Sequence, residues 1–194
     1  MQLETVRIQL TEADTHIALF RDVANVGALY GRLIAKNPEF EYAFIDASTI
    51  VSPLHLLSAI FRAYICYATG KLQTNNIHSE IVLSLSPNNN INESYRRWGP
   101  TPGKTKDMIV VKVVPDNVSE PRPTADGIRA HLAQHIDGRS VPFSDEEIRK
   151  STDRSKVTKY YKLKCPTLDN LKDPAQRERE EERLVIMGMA LREL

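Results

Sequence analysis

Two kinds of hydrophobic spacing run along the chain, and each predicts one class of element. Val6, Ile8 and Leu10 alternate with polar residues, which is typical of a half-buried strand, and the apolar run 17–23 predicts a second strand after a turn. Short runs rich in β-branched and aromatic residues predict three more strands: EYAFIDA (41–47), HSEIVLSLS (78–86) and DMIVVKVV (107–114).

Apolar residues three or four positions apart predict helices between these strands and after the last of them. The expected helices cover about 26–37, 53–69, 92–98 and 124–137, a short segment after Ser144, and 173–194. Start and stop residues support several of these bounds: proline after Asn37, Ser52-Pro53 as a helix start, and Gly99 as a helix end. Ser144 and Glu147 have the spacing of a capping box.

The order of these elements indicates the fold class. Strands and helices alternate through the first two thirds of the chain, and helices fill the rest. We therefore expect one compact α/β (α+β) domain over 1–194, with a small mixed or antiparallel sheet, helices on one face of it and a helical C-terminal part. The 194 residues suffice for one sizeable core and are short for two. Three prolines within 115–123 predict a flexible surface loop there.

Charge and cysteine content narrow the function classes. Lys and Arg number 26 against 25 Asp and Glu, so the net charge is +1 and any contact with RNA must be made by a local patch. Cys66 and Cys165 show no metal-binding spacing and suit a reducing compartment, and Cys66 is expected to be buried. We expect no signal peptide, and the apolar run 54–68 is shorter than the ~20 residues of a membrane span.

The histidines of the predicted helix 124–137 do not form a recognisable metal site. His131 and His135 are four positions apart, but Leu132 stands where a zinc protease needs glutamate, and no third ligand is evident. We expect both to be solvated helix residues. The chain also lacks a glycine-rich phosphate loop and a nucleophile elbow. The sequence therefore predicts neither a metal nor a cofactor.

Three other polar residues are candidates for chemistry. Asp46 ends the predicted strand 41–47 and is expected to cap the turn that follows it. His78 and Glu80 fall on the same side of the predicted strand 78–86, where they can form a hydrogen-bonded pair. This pair supplies no nucleophile. A stand-alone enzyme that uses all three residues is an alternative only if the fold brings them into one pocket.

The segment after Pro87 favours binding of an anion. Asparagines 88–90 lead into the predicted helix 92–98, whose first amide groups are a natural seat for phosphate. Arg96 and Arg97 follow one turn later, and Lys104 and Lys106 lie in the next loop. This pattern is compatible with contact to an RNA backbone, and equally with a capped helix carrying solvated cations.

The last helix changes character along its length. It is almost entirely charged over 176–183 and apolar on nearly every side over 184–194. Leu184, Met187, Leu191 and Leu194 share one side, and Val185, Ile186 and Met189 lie roughly opposite. One side can join the core of the domain. The other side then needs a second surface, which favours a protein partner or, as an alternative, a second copy of the chain.

These segments together resemble a known family. NIHSEIVLSLSPNNNINESYRRWG (76–99) followed by DMIVVKVV resembles the PRPK-binding protein family, the small kinase-binding subunit of the KEOPS/EKC complex. The segments 26–63 and 143–163 and the closing ALREL support the resemblance, which thus covers most of the chain in order. The proline-containing loop is similar to that of fungal-type members.

The resemblance implies a non-enzymatic subunit with a compact α/β fold. It implies that the C-terminal helix binds the kinase-like ATPase subunit, with other KEOPS subunits reached indirectly, and that the complex makes threonylcarbamoyl-adenosine on tRNA. It also implies that the chain helps to hold tRNA, especially the 3′ end, that it has a link to telomere maintenance, and that it occurs in cytoplasm and nucleus. The catalytic centre and its metal would belong to another subunit.

The resemblance also suggests which residues make these contacts. For the kinase-like partner it implies Ile186, Met189, Leu191 and Leu194. For tRNA the match of 76–99 implies the candidates Asn76, Asn90, Arg96 and Arg97, with Lys71 as a basic neighbour.

Overall fold

A five-stranded antiparallel sheet forms the centre of the protein. The computed structural model describes residues 1–118, 121–163, 168 and 170–193. The strands are β1 (Glu4–Val6), β2 (Ala13–Arg21), β3 (Ala43–Asp46), β4 (Met108–Pro115) and β5 (Arg139–Val141). Their order is β1-β2-β4-β3, and β5 pairs with β2 beyond the end of β1. This confirms the predicted α/β class and selects the antiparallel form of the sheet.

In the described part of the chain, eight α-helices surround the sheet, and most of them start where side chains can cap them. They are α1 (Val26–Ile34), α2 (Pro53–Ala68), α3 (Ile77–Ser84), α4 (Ile91–Trp98), α5 (Ala125–His135), α6 (Asp145–Ser151), α7 (Arg154–Tyr161) and α8 (Pro174–Ala190). Before α2 to α8 a side-chain oxygen accepts a hydrogen bond from an amide of the first turn. The capping residues are Ser52, Asn76, Asn90, Thr124, Ser144, Asp153 and Asp173.

Helices cover both faces of the sheet, so the prediction of helices on one face was wrong. On one face Ile17, Ile45 and Ile109 pack with α2, α3, α6, α7 and α8. On the other, Phe20, Phe44 and Val110 pack with α1 and α5. The physical reason is that β2, β3 and β4 are buried along nearly every residue. A strand that is apolar on both sides needs a covering layer on each.

The largest error in the predicted elements is α3, which the sequence predicted as a strand. Residues Ile77–Ser84 form a helix capped by Asn76, and every residue in it except Ser79 is buried. Because α3 lies between α2 and the sheet, it is buried all round, its polar residues included, and its sequence shows no amphipathic helical stripe. A short apolar run of this kind has no decisive period. The consequence is that His78 and Glu80 point to different sides rather than to one.

Two smaller predictions also need adjustment. The first strand ends at Val6, because the chain turns before Leu10, which has φ 69° and an exposed side chain. The loop 115–123 is described except for residues 119–120, and Arg122 ties it to the sheet through Asp14 and Asp116. Its flexibility stays a prediction.

A buried chain of hydrogen bonds joins three of the helices. The Val51 amide donates to His55 Nδ1 at 3.3 Å, so the ring proton lies on Nε2, which is 2.9 Å from Tyr161 Oη. The Tyr161 hydroxyl in turn donates to the carbonyl oxygen of Leu85. His55 is fully buried and lies in α2, Tyr161 ends α7, and Leu85 follows α3. The network therefore fixes these three helices relative to one another.

Replacing Tyr161 by phenylalanine should destabilise the fold. The change leaves the Leu85 carbonyl and the His55 Nε2–H without partners in a dry site, which costs about 2 kcal/mol of unfolding free energy. Tyr160→Phe is the matched control, because the Tyr160 hydroxyl has no hydrogen bond to a described residue. Urea denaturation measures both. Equal losses in the two variants would contradict the structural role of the network.

Stability should fall on mild acidification. Burial lowers the pKa of His55 to about 3 and also lowers the pKa of His78. Both rings stay neutral in the folded chain but take up protons in the unfolded chain below about pH 6.5. The contribution of these histidines to the unfolding free energy is therefore fully present above pH 6.5. It is lost toward lower pH, by up to about 1.4 kcal/mol per pH unit for each histidine.

Urea denaturation between pH 7 and 5 checks this slope, in a range above the usual titration of aspartate and glutamate. His78→Gln is the matched variant, since a glutamine oxygen can still accept from the Val113 amide that His78 Nε2 binds at 3.1 Å. In this variant the unfolding free energy should depend less steeply on pH, because one buried histidine no longer contributes. A stability that does not change between pH 7 and 5 would be the opposite result.

Candidate interaction surfaces

The last helix, α8, is held against the domain from several sides. Its residues Val185 and Met189 are buried in the core. Arg62 of α2 donates a 2.6 Å hydrogen bond to the Met189 carbonyl oxygen. Arg154 of α7 pairs with Glu178 and Glu181 near the start of α8. Burial raises the pKa of the Glu181 carboxyl, while the charge of Arg154 acts to lower it. The helix is thus part of the domain rather than a loose appendage.

One side of α8 faces outward. Met187 and Leu191 keep 42% and 50% of their surface exposed, and the small side chain of Ala190 lies exposed between them. The sequence correctly placed Met187 and Leu191 apart from Val185 and Met189, but Leu184, which was assigned to the outward side, packs against the core. We call Met187, Ala190 and Leu191 the outer row.

The residues nominated for the partner divide between these two sides. Leu191 belongs to the outer row, and Ile186 is half-buried. Met189 is 3% exposed, so it packs in this chain's own core and presents no surface in this fold. Leu194 lies outside the described residues. Met187 was not nominated, although its position four residues before Leu191 is the signal that could have identified it.

Helix α2 adds further exposed apolar surface. Leu54 and Ile65 are exposed on it, and the two helices run in the same direction. Ser52 lines one cleft with Glu181, and Arg62 reaches Met189 further along both helices. Ile65 and Leu191 therefore lie toward the same end of the pair. The sequence analysis nominated no residue of α2 for a partner contact.

The asparagines nominated for tRNA are helix caps. Asn76 Oδ1 accepts from the Ser79 amide at 2.8 Å, and Asn90 Oδ1 accepts from the Glu93 amide at 3.0 Å. Glu93 lies in the first turn of α4, where its carboxylate accepts from Asn88 Nδ2 and pairs with Arg97. At the helix start where the sequence predicted an anion, the Glu93 amide is thus bound by Asn90, and a carboxylate of the chain itself lies in the first turn.

The nominated cations differ in how accessible they are. The Arg97 guanidinium pairs with Glu93 and lies 5.1 Å from the centre of the Tyr160 ring. Arg96 is 3.8 Å from Glu93, and its side chain is 76% exposed. Lys71 is exposed before α3, in a loop whose Gln73 and Thr74 amides donate to the buried Glu80 carboxylate at 3.0 Å. Because α3 packs against α4, the structure places these residues on neighbouring elements.

The three residues considered for catalysis do not share a pocket. Asp46 Oδ1 accepts from the Ser48 amide at 3.0 Å, which confirms its predicted role as a cap. His78 binds the Val113 amide, which lies five residues along β4 from Met108, the register partner of Asp46, or about 16 Å away. Glu80 holds the loop before α3. The alternative of an enzyme built on these residues is therefore wrong.

The histidine pair of α5 is not solvated as expected. The ring of His131 stacks on Tyr42 with centroids 5.6 Å apart, and its Nδ1 is 3.1 Å from the tyrosine hydroxyl. His135 Nδ1 accepts from Arg32 at 3.1 Å, and both imidazoles contact the Phe40 ring. These residues pack α5 against β3 and α1.

Other expected features have these outcomes. Cys66 is partly exposed rather than buried, and Cys165 lies outside the described residues. Within the described ranges, no group of three or more His, Cys, Asp or Glu side chains could hold a metal ion. Among the described helices, none combines the length and the hydropathy that crossing a bilayer requires.

Comparison with known proteins gives a consistent result. The family model for the kinase binding protein CGI-121 matches residues 20–193. The EKC/KEOPS complex subunit cgi121 of Neurospora crassa is 52% identical over 207 aligned positions that cover all of both chains. The Gibberella zeae subunit of the same name is 47% identical over 99% of each chain. The Schizosaccharomyces pombe subunit is 36% identical over 82% of this chain and 87% of its own.

Proposed function

This chain belongs to the CGI-121 family of kinase-binding proteins, and from that membership we infer that it acts as a non-catalytic subunit of an EKC/KEOPS complex. In that role it binds the kinase-like ATPase subunit and helps to dock tRNA for threonylcarbamoyl-adenosine formation. The names of its relatives support membership of the complex. Asp46, His78 and Glu80 all make hydrogen bonds that stabilise the fold, which supports a subunit that does not catalyse a reaction itself.

The outer row of α8 is the observation that carries the contact with the kinase-like subunit. Met187 and Leu191 are large apolar side chains one turn apart, each about half exposed, on a helix whose other side is anchored in the core. Covering such side chains contributes about 1 kcal/mol each, half of the value for full burial. Methionine adapts to irregular partner surfaces. Leu54 and Ile65 of α2, a helix that packs against α8, are further exposed apolar residues.

The exposed cations before α3 and on α4 support the docking of tRNA. Arg96 keeps most of its guanidinium in solvent, and Lys71 is exposed, so both can reach phosphate oxygens without a rearrangement. Asn76 and Asn90 then act indirectly, by fixing the helix starts beside these cations. Telomere maintenance and a location in cytoplasm and nucleus stay predictions of the resemblance alone.

A second candidate uses the same outer row for a homodimer. A symmetric pairing of α8 would also cover Met187 and Leu191. It predicts a mass that rises with protein concentration, whereas binding to the kinase-like subunit predicts a monomer that forms a one-to-one complex.

Replacing Met187 and Leu191 together by arginine should abolish co-purification with the kinase-like subunit. Two charges would then have to be buried in an apolar contact, which costs several kcal/mol. Co-expression and pull-down measure the effect. Tyr30→Arg with Ile34→Arg is the matched control, since these exposed residues have the same four-residue spacing on α1, over the opposite sheet face.

Circular dichroism and the melting temperature show whether each variant folds. Met189→Arg serves as the contrasting case, because its 3% exposure makes unfolding the expected result. A complex that survives the double replacement of Met187 and Leu191 would contradict the proposed surface. Sedimentation of the wild-type chain separates the dimer from the monomer.

Arg96→Glu should weaken the binding of unmodified tRNA and reduce its dependence on salt. Loss of one phosphate contact lowers the slope of log K against log salt by about one. Fluorescence anisotropy between 50 and 200 mM salt measures the slope for the chain alone and for the assembled complex. Lys36→Glu, an exposed charge reversal at the end of α1, is the control. Unchanged affinity in the Arg96 variant would remove α4 from the RNA contact.

A further inference from the structure

A groove of about 640 Å³ runs along the outer side of α7 and has a chemistry that neither the kinase contact nor α4 uses. Its lining residues are Arg154, Ser155, Thr158, Lys159 and Lys162. They follow one another at intervals of one, three, one and three positions, so all five lie on one side of the helix. The groove therefore combines three cations with two hydroxyl groups, and no acidic side chain is among these lining residues.

The charge of the groove comes mainly from its two lysines. Arg154 is engaged by Glu178 and Glu181 of α8. In the described part of the chain, the side chains of Lys159 and Lys162 make no hydrogen bond or ion pair, and both residues are exposed. Side chains three apart on a helix lie about 5–6 Å apart at their Cβ atoms. Two ammonium groups beside two hydroxyl donors match the oxygens of adjacent phosphates.

The backbone of Lys162 is unusual for a lysine. It has φ 55° and ψ 42°, the left-handed conformation that ends a helix and favours glycine. The following amide, of Leu163, donates to the Thr158 carbonyl oxygen at 3.0 Å and closes the helix. A glycine would satisfy this backbone better than lysine does. The backbone conformation therefore does not favour lysine at position 162, where the lysine side chain lines the groove.

The groove and the basic residues of α4 lie on different sides of α7. Tyr160 of α7 lies 5.1 Å from the Arg97 guanidinium and packs 5.5 Å from the buried Trp98 ring. At 3.6 residues per turn Tyr160 is about half a turn round the helix from the middle of the groove residues. The groove is therefore a basic surface separate from the one on α4.

We propose that the α7 groove binds successive phosphates of an RNA backbone through Lys159 and Lys162, with Ser155 and Thr158 as hydroxyl donors. This rests on the proposed docking of tRNA, but it assigns the contact to a different helix from the one that the sequence indicated. The contact is independent of base sequence, since it reads only phosphate oxygens. It adds a second RNA contact, separate from the cations of α4.

Lys159→Glu combined with Lys162→Glu tests the groove on the full chain and on its complex with the kinase-like subunit. The probe is an unmodified tRNA transcript, followed by fluorescence anisotropy over a series of salt concentrations. Affinity at low salt should fall about tenfold or more, and the slope of log K against log salt should fall by about one for each lysine. Lys36→Glu is the control for a reversed charge on the opposite sheet face.

A pair of glycine variants separates binding from folding. Lys36 shares the conformation of Lys162, with φ 51° after α1, and lies far from the groove behind the sheet. Lys162→Gly and Lys36→Gly should both keep or raise the melting temperature, by about 2 °C, because glycine suits a left-handed residue. Only Lys162→Gly should also weaken tRNA binding. A purely structural lysine at 162 would behave like Lys36.

The outcomes distinguish the groove from the wider proposal. Wild-type chain that binds tRNA while both lysine variants bind equally well overturns the groove alone. Weaker binding by the lysine variants with no effect of Arg96→Glu supports the groove and removes α4. No tRNA binding by the wild-type chain or its complex overturns both. Loss of the kinase-like subunit at unchanged tRNA affinity would make the groove a protein contact, which also overturns the proposal.

Discussion

The hydrogen bonds through His55, Tyr161 and Leu85 are the constraint on which the functional side of the molecule depends. They lie in a site without water access, and each proton in the chain has one defined acceptor. Through them the positions of α2, α7 and the end of α3 are set together. Helix α8 then packs in the resulting frame, and α4 is held beside α7 by Trp98 and Tyr160. Both surfaces proposed for binding are therefore built on one buried polar network.

The placement of the polar and apolar residues fits the role proposed for this domain, which is to bind other molecules rather than to catalyse a reaction. Its buried carboxylates and imidazoles end helices, close loops or complete the sheet. His78, for example, accepts from an amide of β4 beyond the last residue that β3 pairs. The exposed residues include the apolar outer row of α8 and basic side chains on α4 and α7. These are complementary to a protein and to a polyanion, respectively.

Much of this could be read from the sequence, because caps and period-2 or period-3.6 patterns are local. The starts of α2, α4, α6 and α8 and the strands β3 and β4 were predicted on that basis, and the two sides of α8 followed from helical spacing. The prediction for α3 was wrong because a fully buried helix has no solvent-facing polar side, so its helical period does not show in the sequence. Met189 was nominated for the partner contact although it is buried, because its burial depends on the neighbouring helix α2 and not on α8 itself. The α7 groove was not predicted because the sequence analysis assigned no helix to Arg154–Tyr161.

The central strand β2 links distant parts of the chain, and this has a kinetic consequence. It pairs Leu19 with Ile109 on one edge and with Val141 on the other, and a nearby turn closes only the part of one edge that pairs with β1. Contacts between residues so far apart in sequence form slowly, since a long loop must close before they stabilise anything. During synthesis β2 lacks its partner strands β4 and β5, and its apolar faces stay uncovered, until most of the domain has been made. Newly made chains are thus prone to aggregate, and chaperones would protect them at that stage.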